Sequence, residues 1–284
     1  MAVANVDGEV CLYALNRLDL GGNSTTQASR CAMAAGSGGI GITGSAAVRA
    51  AQLVTTGACS GCSGGDVWTD ATRTARPTVV ANRAQAVPDP FVNLRNWTPA
   101  PPACRAGNIT GSMSITPAQG AICNNVSIGP GQTLILAPGL YYFNNADLDV
   151  KGRIAGAGVT LVFTGDTNRV GTISINSQAN GSLSGPTSPL IPGYPESDGL
   201  VIYRDARATN NGSAKQVSLN GGGTMALNGG IYLPTSDVLR SVEFQDSHAW
   251  FDVIQVLDGT LCFDGLPMGE NGTALPGEAI RPRA

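Results

Sequence analysis

The sequence TLILAPGLYYFNNADLDVKGRIAGAGVTLVF at residues 133–163 decides the fold class. Short runs of aliphatic, aromatic and β-branched residues at 133–136, 140–143 and 159–163 alternate with glycine, asparagine and proline. Such runs are shorter than ordinary sandwich strands, and no two-residue hairpin signal dominates between them. Short strands separated by Gly/Asn corners are typical of a parallel β-helix, in which each turn stacks on the next.

The same pattern continues toward the C-terminus, with turns such as 220–223 and 228–230 between the runs. The further runs lie at 172–175, 200–203, 217–219, 224–227, 230–233, 242–244 and 250–254. We therefore predict an all-β protein, a right-handed parallel β-helix with an irregular Pro-rich excursion. A β-sandwich is the alternative, because the Asn228-Gly229 dipeptide on its own fits a hairpin turn.

Composition supports a thin, repetitive core. Charged residues make up 13% of the chain, against roughly 25% in ordinary soluble domains, and aromatic residues make up 5%. Glycine accounts for 38 of the 284 residues, which suits frequent corners. The net charge of −3 and the presence of only two lysines, Lys151 and Lys215, argue against nucleic acid as a partner.

Four regions follow from the distribution of prolines and strand-like runs. Residues 1–75 form N-terminal β rungs with a candidate capping segment, and 76–107 form a Pro-rich excursion. Residues 108–265 form the main β-helix, and 266–284 form an extended tail. We expect the excursion to pack on the outside through Phe91, Leu94 and Trp97. Residues 45–54 have helical propensity, but their Gly/Thr-rich flanks favour a strand.

No membrane segment is expected in this chain, because no apolar run approaches the roughly 18 residues that a spanning helix needs. Residues 1–5 lack the basic and apolar regions of a signal peptide. We therefore expect that any export signal or membrane anchor is missing from the sequence in hand.

Cysteine usage points to an oxidising compartment. Six of the seven cysteines are Cys11, Cys31, Cys59, Cys62, Cys104 and Cys123, and the seventh is Cys262. His248 is the only histidine, so a Cys/His zinc site would lack ligands, and disulfides are the favoured interpretation. The Cys59-Ser-Gly-Cys62 motif has no βαβ context and reads as a local bridge. Metal binding by Cys11, Cys31, Cys59 and Cys62 is the alternative.

Several ordered motifs resemble the exported region of TadG-like proteins of the Tad (tight adherence) pilus system. They span most of the chain in order: CLYAL at 11–15, VPDPF at 87–91, LILAPGLYY at 134–142, GAGVTLVFTG at 156–165, GLVIYRD at 199–205 and LNGGIYLP at 227–234. The resemblance implies a β-helix without a catalytic site. It also implies that Cys11 pairs with Cys31, Cys104 with Cys123 and Cys59 with Cys62, which leaves Cys262 unpaired.

The candidate catalytic groups each have a simpler interpretation. Asp147 and Asp149 are two positions apart, which would place both carboxylates on one strand face for a cation or for acid–base chemistry on a sugar. Arg204, Asp205 and Arg207 could hold a base and a charge stabiliser. We interpret the first pair as a solvated outer face and the second group as an ion pair at a corner. His248, with Asp246 and Asp252 nearby in sequence, does not by itself define a triad.

The best candidate contact surface is the Pro-rich loop at 184–198, which contains Pro189, Tyr194 and Glu196. We expect a non-enzymatic, structural or adhesive component of a Tad-type pilus system, exported to the cell surface or the pilus, with the periplasm as the alternative location. No cofactor, metal or catalytic residue is expected. The expected partners are pilus or cell-surface proteins, with surface glycans as the alternative. A polysaccharide-binding or polysaccharide-cleaving β-helix is the second functional hypothesis, and a fibre module is the third.

Overall fold

The computed structural model describes residues 10–22, 24–85, 87, 89, 91–176, 178–209, 216–219, 224–239, 247–256 and 260–262. These residues form 21 parallel strands. The strands are β1 (Val10–Leu20), β2 (Thr25–Ala35), β3 (Gly39–Ile42), β4 (Ala47–Thr55), β5 (Cys59–Ser60), β6 (Asp66–Trp68), β7 (Thr78–Val80), β8 (Met113–Ile115), β9 (Val126–Ile128), β10 (Thr133–Leu136), β11 (Gly139–Asn144), β12 (Leu148–Val150), β13 (Arg153–Gly156), β14 (Val159–Thr164), β15 (Ile173–Ile175), β16 (Asn180–Ser184), β17 (Leu200–Arg204), β18 (Gln216–Leu219), β19 (Thr224–Leu239), β20 (Ser247–Val256) and β21 (Thr260–Cys262). Three short 3₁₀ helices lie at Val92–Asn96, Pro117–Gln119 and Pro195–Ser197.

The strands stack into three ladders, which form the three faces of a β-solenoid. Face 1 runs through β11, β14, β17, β19, β20, β1, β2, β4 and β7. Face 2 runs through β9, β12, β15, β18, β19, β20, β1, β3 and β5. Face 3 holds β8, β10, β13, β16 and the start of β19, and it also holds β21, the start of β2, β4 and β6. The prediction of an all-β parallel β-helix is confirmed.

The order of the turns in the stack differs from the order of the chain. β20 lies between β19 on one side and β1 on the other, and it pairs in parallel with both. The solenoid therefore runs from residue 113 to residue 262 and continues at residue 10. We call residues 113–262 the C-terminal half, residues 10–80 the N-terminal half, and the junction of β20 and β21 with β1 and β2 the seam.

A connector, residues 81–112, joins the two halves. It leaves β7, the last strand of the N-terminal half, and returns to β8, the first strand of the C-terminal half at the opposite end of the stack. The sequence-based boundaries of 76 and 107 fall close to those of the connector, but β7 belongs to the rungs. The extended tail predicted at 266–284 lies outside the described residues.

The inner side chains of the three faces form one continuous core. On face 2, Leu148, Ile173 and Val217 occupy matching positions on successive turns, as do Leu18 and Ile40 farther along the stack, and all five are buried. Burial of one such side chain stabilises the fold by about 1.5–3 kcal/mol. On face 1, the inner rings of Phe143 and Phe163 stack with their centroids 4.8 Å apart.

The disulfides join the cysteines as the resemblance implied: Cys11–Cys31, Cys59–Cys62 and Cys104–Cys123. The three bridges do not share one end of the stack. Cys59–Cys62 lies at the end formed by β5 to β7, and Cys104–Cys123 lies at the opposite end beside β8 and β9. Cys11–Cys31 joins the first turn of the N-terminal half to the next turn, beside the seam. Cys262 pairs through its backbone with Gln27, and its side chain lies outside the description.

The predictions for individual strands and turns can be compared with the structure. Residues 47–55 form a strand rather than a helix, as favoured. The expectation of short strands is wrong for the five strands that continue round a corner onto a second face. These are β1, β2, β4, β19 and β20, with 11, 11, 9, 16 and 10 residues. The turn predicted at 228–230 lies inside β19, where Gly229 has φ 135°. The predicted run at 242–244 and turn at 220–223 lie outside the described residues.

Candidate functional site

The outer side of face 1 carries an aromatic and apolar ladder. Its successive Cα partners are Tyr142, Val162, Tyr203, Tyr232, Trp250, Tyr13, Ala34, Val54 and Val80. Tyr203 and Tyr232 are fully buried although they point away from the solenoid core, and they belong to a second apolar cluster. Something therefore covers face 1 from outside.

The cover is the strap, the part of the connector that contains Val87, Asp89 and residues 91–97. Phe91 and Leu94 are fully buried, and the ring centroid of Phe91 lies 4.9 Å from that of Tyr232. Trp97 packs against Tyr203 with a centroid distance of 5.1 Å. The Pro-rich excursion therefore packs on the outside of the solenoid through Phe91, Leu94 and Trp97, as predicted.

A polar cluster fastens the strap over Tyr232. The Tyr232 hydroxyl donates to Oδ2 of Asp89 at 2.8 Å, and Nε of Arg95 donates to the same oxygen at 3.1 Å and to the Tyr232 oxygen at 3.0 Å. Burial raises the pKa of Tyr232 well above its ordinary value, and the negative charge of Asp89 raises it further. The Tyr203 hydroxyl donates to the Leu94 carbonyl at 2.9 Å, so both buried tyrosines bind the strap through hydrogen bonds.

The candidate contact loop forms the second part of this cover. Ile191 is buried in the face 1 cluster, and Tyr194 lies with its ring centroid 6.2 Å from that of Trp97. Pro189 is exposed, whereas Tyr194 and Glu196 are half-buried. Of the three candidate contact residues, Pro189 is therefore the one fully available to a partner, and Tyr194 is partly used in packing.

Arg204 and Asp205 are both buried, and the ion pair that the sequence predicted at this corner is present. Arg204 donates to the carbonyls of Val170 and Gly171 at 3.1 Å each, and to the Thr235 hydroxyl at 2.9 Å. Burial lowers the pKa of Arg204 to about 10.

The acid beside Arg204 has partners of its own. Asp205 accepts from Nη2 of Arg207 at 2.6 Å and from the Thr164 hydroxyl at 2.8 Å. The ion pair at this corner is therefore Asp205–Arg207, which lies within one turn, whereas the hydrogen bond from Thr164 ties Asp205 to the neighbouring turn.

Asp147 is exposed and Asp149 is half-buried on either side of the buried Leu148, so both carboxylates lie on the outer side of this turn. Asp147 precedes β12 and accepts the backbone N–H of Thr172 at 2.8 Å. Asp149 lies on β12, where it pairs with Lys151 at 2.8 Å and accepts from Asn176. Each carboxylate thus fastens a neighbouring turn, and within the described part of the chain no three His, Cys, Asp or Glu side chains are grouped to hold a metal.

The histidine candidate lies at the seam. The backbone of His248 pairs with Gly230. The side chains of His248 and Asp252, and all of Asp246, lie outside the described residues. A triad at His248 therefore stays a sequence-based hypothesis.

One cluster that the sequence analysis missed lies at the end of the N-terminal half. Asp66 pairs with both Arg49 and Arg73 at 2.9 Å, and the guanidinium carbon of Arg76 lies 3.6 Å from the Trp68 ring centroid. Arg76 also donates to the Val67 carbonyl at 2.5 Å. These contacts close the terminal loop, and their partners are too far apart in sequence for a local pattern to reveal them.

Comparison of the chain with family models, curated proteins and solved structures finds no match. The likeness to TadG-like proteins stays a prediction that depends on the quoted motifs. No helix in the described residues is long and apolar enough to cross a bilayer.

Proposed function

We propose that this chain is an exported, non-enzymatic structural or adhesive component of a Tad-type pilus system. The observation that carries the exported part is the placement of three disulfides at the two ends and beside the seam of one solenoid. Disulfides persist in oxidising compartments. Two of these bridges stabilise terminal turns, which have a neighbour on one side only, and Cys11–Cys31 joins two turns beside the seam.

The non-enzymatic part rests on the partners of the candidate catalytic groups. Asp147, Asp149 and Asp205 each accept hydrogen bonds from a neighbouring turn, and Arg204 is buried against backbone carbonyls. A general acid–base pair needs carboxyl groups that reach a substrate. Groups that already tie turns together are better suited to maintaining a rigid scaffold.

The adhesive part is assigned to the exposed tip of the contact loop at 187–189. Loops on rigid scaffolds commonly carry contacts, and this loop is anchored beside its tip by buried Ile191 and by the contact of Tyr194 with Trp97. The expected partner is a pilus or cell-surface protein.

The test is complementation of a deletion strain, scored for surface pili and for attachment. Wild-type protein should restore both. Pro189→Asp, which places a charge at the exposed tip, should restore export but not attachment. Thr110→Asp, at an exposed connector position, is the matched control and should restore everything. Unchanged pili and attachment in the deletion strain would refute the proposal.

A second measurement separates the proposal from the polysaccharide hypothesis. Purified protein is incubated with a glycan panel, with and without calcium, and the products are analysed by mass spectrometry. The structural or adhesive role predicts no released product. Release of oligosaccharides would reject the non-enzymatic assignment.

A further inference from the structure

The seam is an extensive but non-covalent joint. β1 pairs with β20 over seven residue pairs from Leu12–Ala249 to Leu20–Val256, on both face 1 and face 2. β2 adds the pairs Thr25–Thr260 to Gln27–Cys262 on face 3. These ladders are continuous with those on either side, so the seam resembles any other junction between two turns.

No described disulfide crosses the seam. Cys11–Cys31 and Cys59–Cys62 lie within the N-terminal half, and Cys104–Cys123 joins the connector to the C-terminal half. The connector is therefore the only described covalent link between the halves. Between Trp97 and Cys104 it contains Pro99, Pro101 and Pro102. These prolines keep the backbone extended, so that a short segment spans a long distance.

During synthesis the seam cannot form until most of the chain has been made. The N-terminal half is complete at residue 80, but the partner of β1 is β20, close to the end of the described chain. Pairing over such a separation is slow because loop closure precedes any stabilising contact. In the interval, β1 presents an unpaired strand edge, which is a template for another strand.

We propose that a second copy of this chain can close the seam, so that two molecules exchange halves. The N-terminal half of each would stack on the C-terminal half of the other, with residues 98–103 as the hinge. Every seam contact of the monomer would be reproduced between chains, since exchange of an identical element uses the same interface. Because the hinge follows the strap, the strap would move with its own N-terminal half and would make its contacts with Tyr203 and Tyr232 of the second copy.

The test mixes two single-cysteine variants, Asp19→Cys and Gln255→Cys, each in a Cys262→Ser background that removes the seventh cysteine. Asp19 and Gln255 are register partners on face 2, and directly paired strand positions have the Cα separation that a disulfide needs. The two variants are unfolded together, refolded under oxidising conditions and analysed by non-reducing mass mapping. Exchange predicts a heterodimer linked through positions 19 and 255.

The matched control mixes Asp149→Cys with Ser174→Cys, register partners on the same face but within one half. Those positions cannot meet through exchange of halves, so they report random collision. We expect several-fold more of the 19–255 heterodimer than of the control product. Equal yields would overturn the proposal.

A second measurement does not depend on cysteine variants. Wild-type protein refolded at increasing concentration is examined by size-exclusion chromatography with light scattering. Exchange predicts a dimer whose yield rises with refolding concentration and which persists on dilution, because its dissociation requires the seam to open. A monomer at every refolding concentration, or a dimer that dissociates at once on dilution, would contradict exchange.

Discussion

Glycine allows adjacent turns to approach each other at the corners of this solenoid. A Cβ atom at Gly171 would lie 2.0 Å from the Ala146 carbonyl oxygen, and one at Gly152 would lie 2.2 Å from the Gly129 carbonyl oxygen. Neither glycine has a positive φ. Glycine is therefore needed at both positions because a side chain has no room, and not because of backbone strain.

Substitution of Gly171 by alanine should therefore separate two turns. We expect Gly171→Ala to lower the free energy of unfolding by about 3 kcal/mol, the upper range for overpacking, measured by urea denaturation. Gly64→Ala is the control, because its Cβ would find no atom closer than 4.0 Å. The control should change stability by less than about 0.5 kcal/mol. Similar losses in both variants would contradict the close approach.

Buried tyrosines make the fold sensitive to alkali. Burial raises the pKa of Tyr13, Tyr142, Tyr203 and Tyr232, and it raises that of Tyr141 to about 12. A group whose folded pKa exceeds its unfolded value stabilises the fold at low pH and loses that contribution as the pH rises. Arg204 acts in the opposite sense, since its lowered pKa favours the folded state above about pH 10, but it is one group against five.

We predict that the urea midpoint falls steadily as the pH rises above about 10, the unfolded pKa of tyrosine. Tyr232→Phe should be less stable than wild type at pH 8, because the hydroxyl bonded to Asp89 and Arg95 is lost. It should also show a shallower decline between pH 10 and 12. An identical slope in the variant and wild type would show that Tyr232 does not contribute to the pH dependence.

The elements at the two ends of the stack depend on the disulfides. Each terminal turn has a neighbour on one side only, and few residues remain there to bury apolar surface. Ile109 and Ile115 are buried near Cys104–Cys123, and Val67 is buried near Cys59–Cys62. The cysteines of the two bridges are 19 and 3 positions apart in sequence, and a longer closed loop restricts the unfolded chain more strongly.

Removal of the longer bridge should destabilise one end selectively. Cys104→Ser/Cys123→Ser should cost about 2–4 kcal/mol and accelerate hydrogen exchange in β8 and β9. Cys59→Ser/Cys62→Ser is the matched variant at the opposite end; it should have a smaller effect, confined to β5 and β6. Faster exchange in the same strands for both variants would contradict the placement of the bridges at opposite ends.

The individual elements could be read largely from the sequence. The runs at 133–136 and 159–163 became β10 and β14 because β-branched and aromatic residues fit a half-buried pleated surface. Phe91, Leu94 and Trp97 were recognisable as anchors because they are the large apolar residues of a Pro-rich segment. The Tyr232–Asp89 hydrogen bond was not recognisable, because its partners are 143 positions apart. Side-chain patterns report which face a residue occupies, but not which distant residue it meets.

At the scale of the whole molecule, the unexpected feature is the order of the turns. The sequence predicted a solenoid that runs from its N-terminus to its C-terminus with an excursion on the way. The pairing of β20 with β1 places residue 10 in the middle of the stack instead. Every rung offers a similar apolar ladder, so local composition does not specify which rung follows which. The strap resolves this ambiguity in part, because it contacts both Tyr203 and Tyr232 near the seam.

The order of turns is tested most directly by a disulfide across the seam. Asp19→Cys and Gln255→Cys are combined in one chain with Cys262→Ser, and the monomer fraction is mapped by mass spectrometry without reduction. We predict an intrachain 19–255 bond together with the three native disulfides, since these positions are register partners. A correctly folded monomer in which cysteines 19 and 255 remain free thiols would contradict the seam.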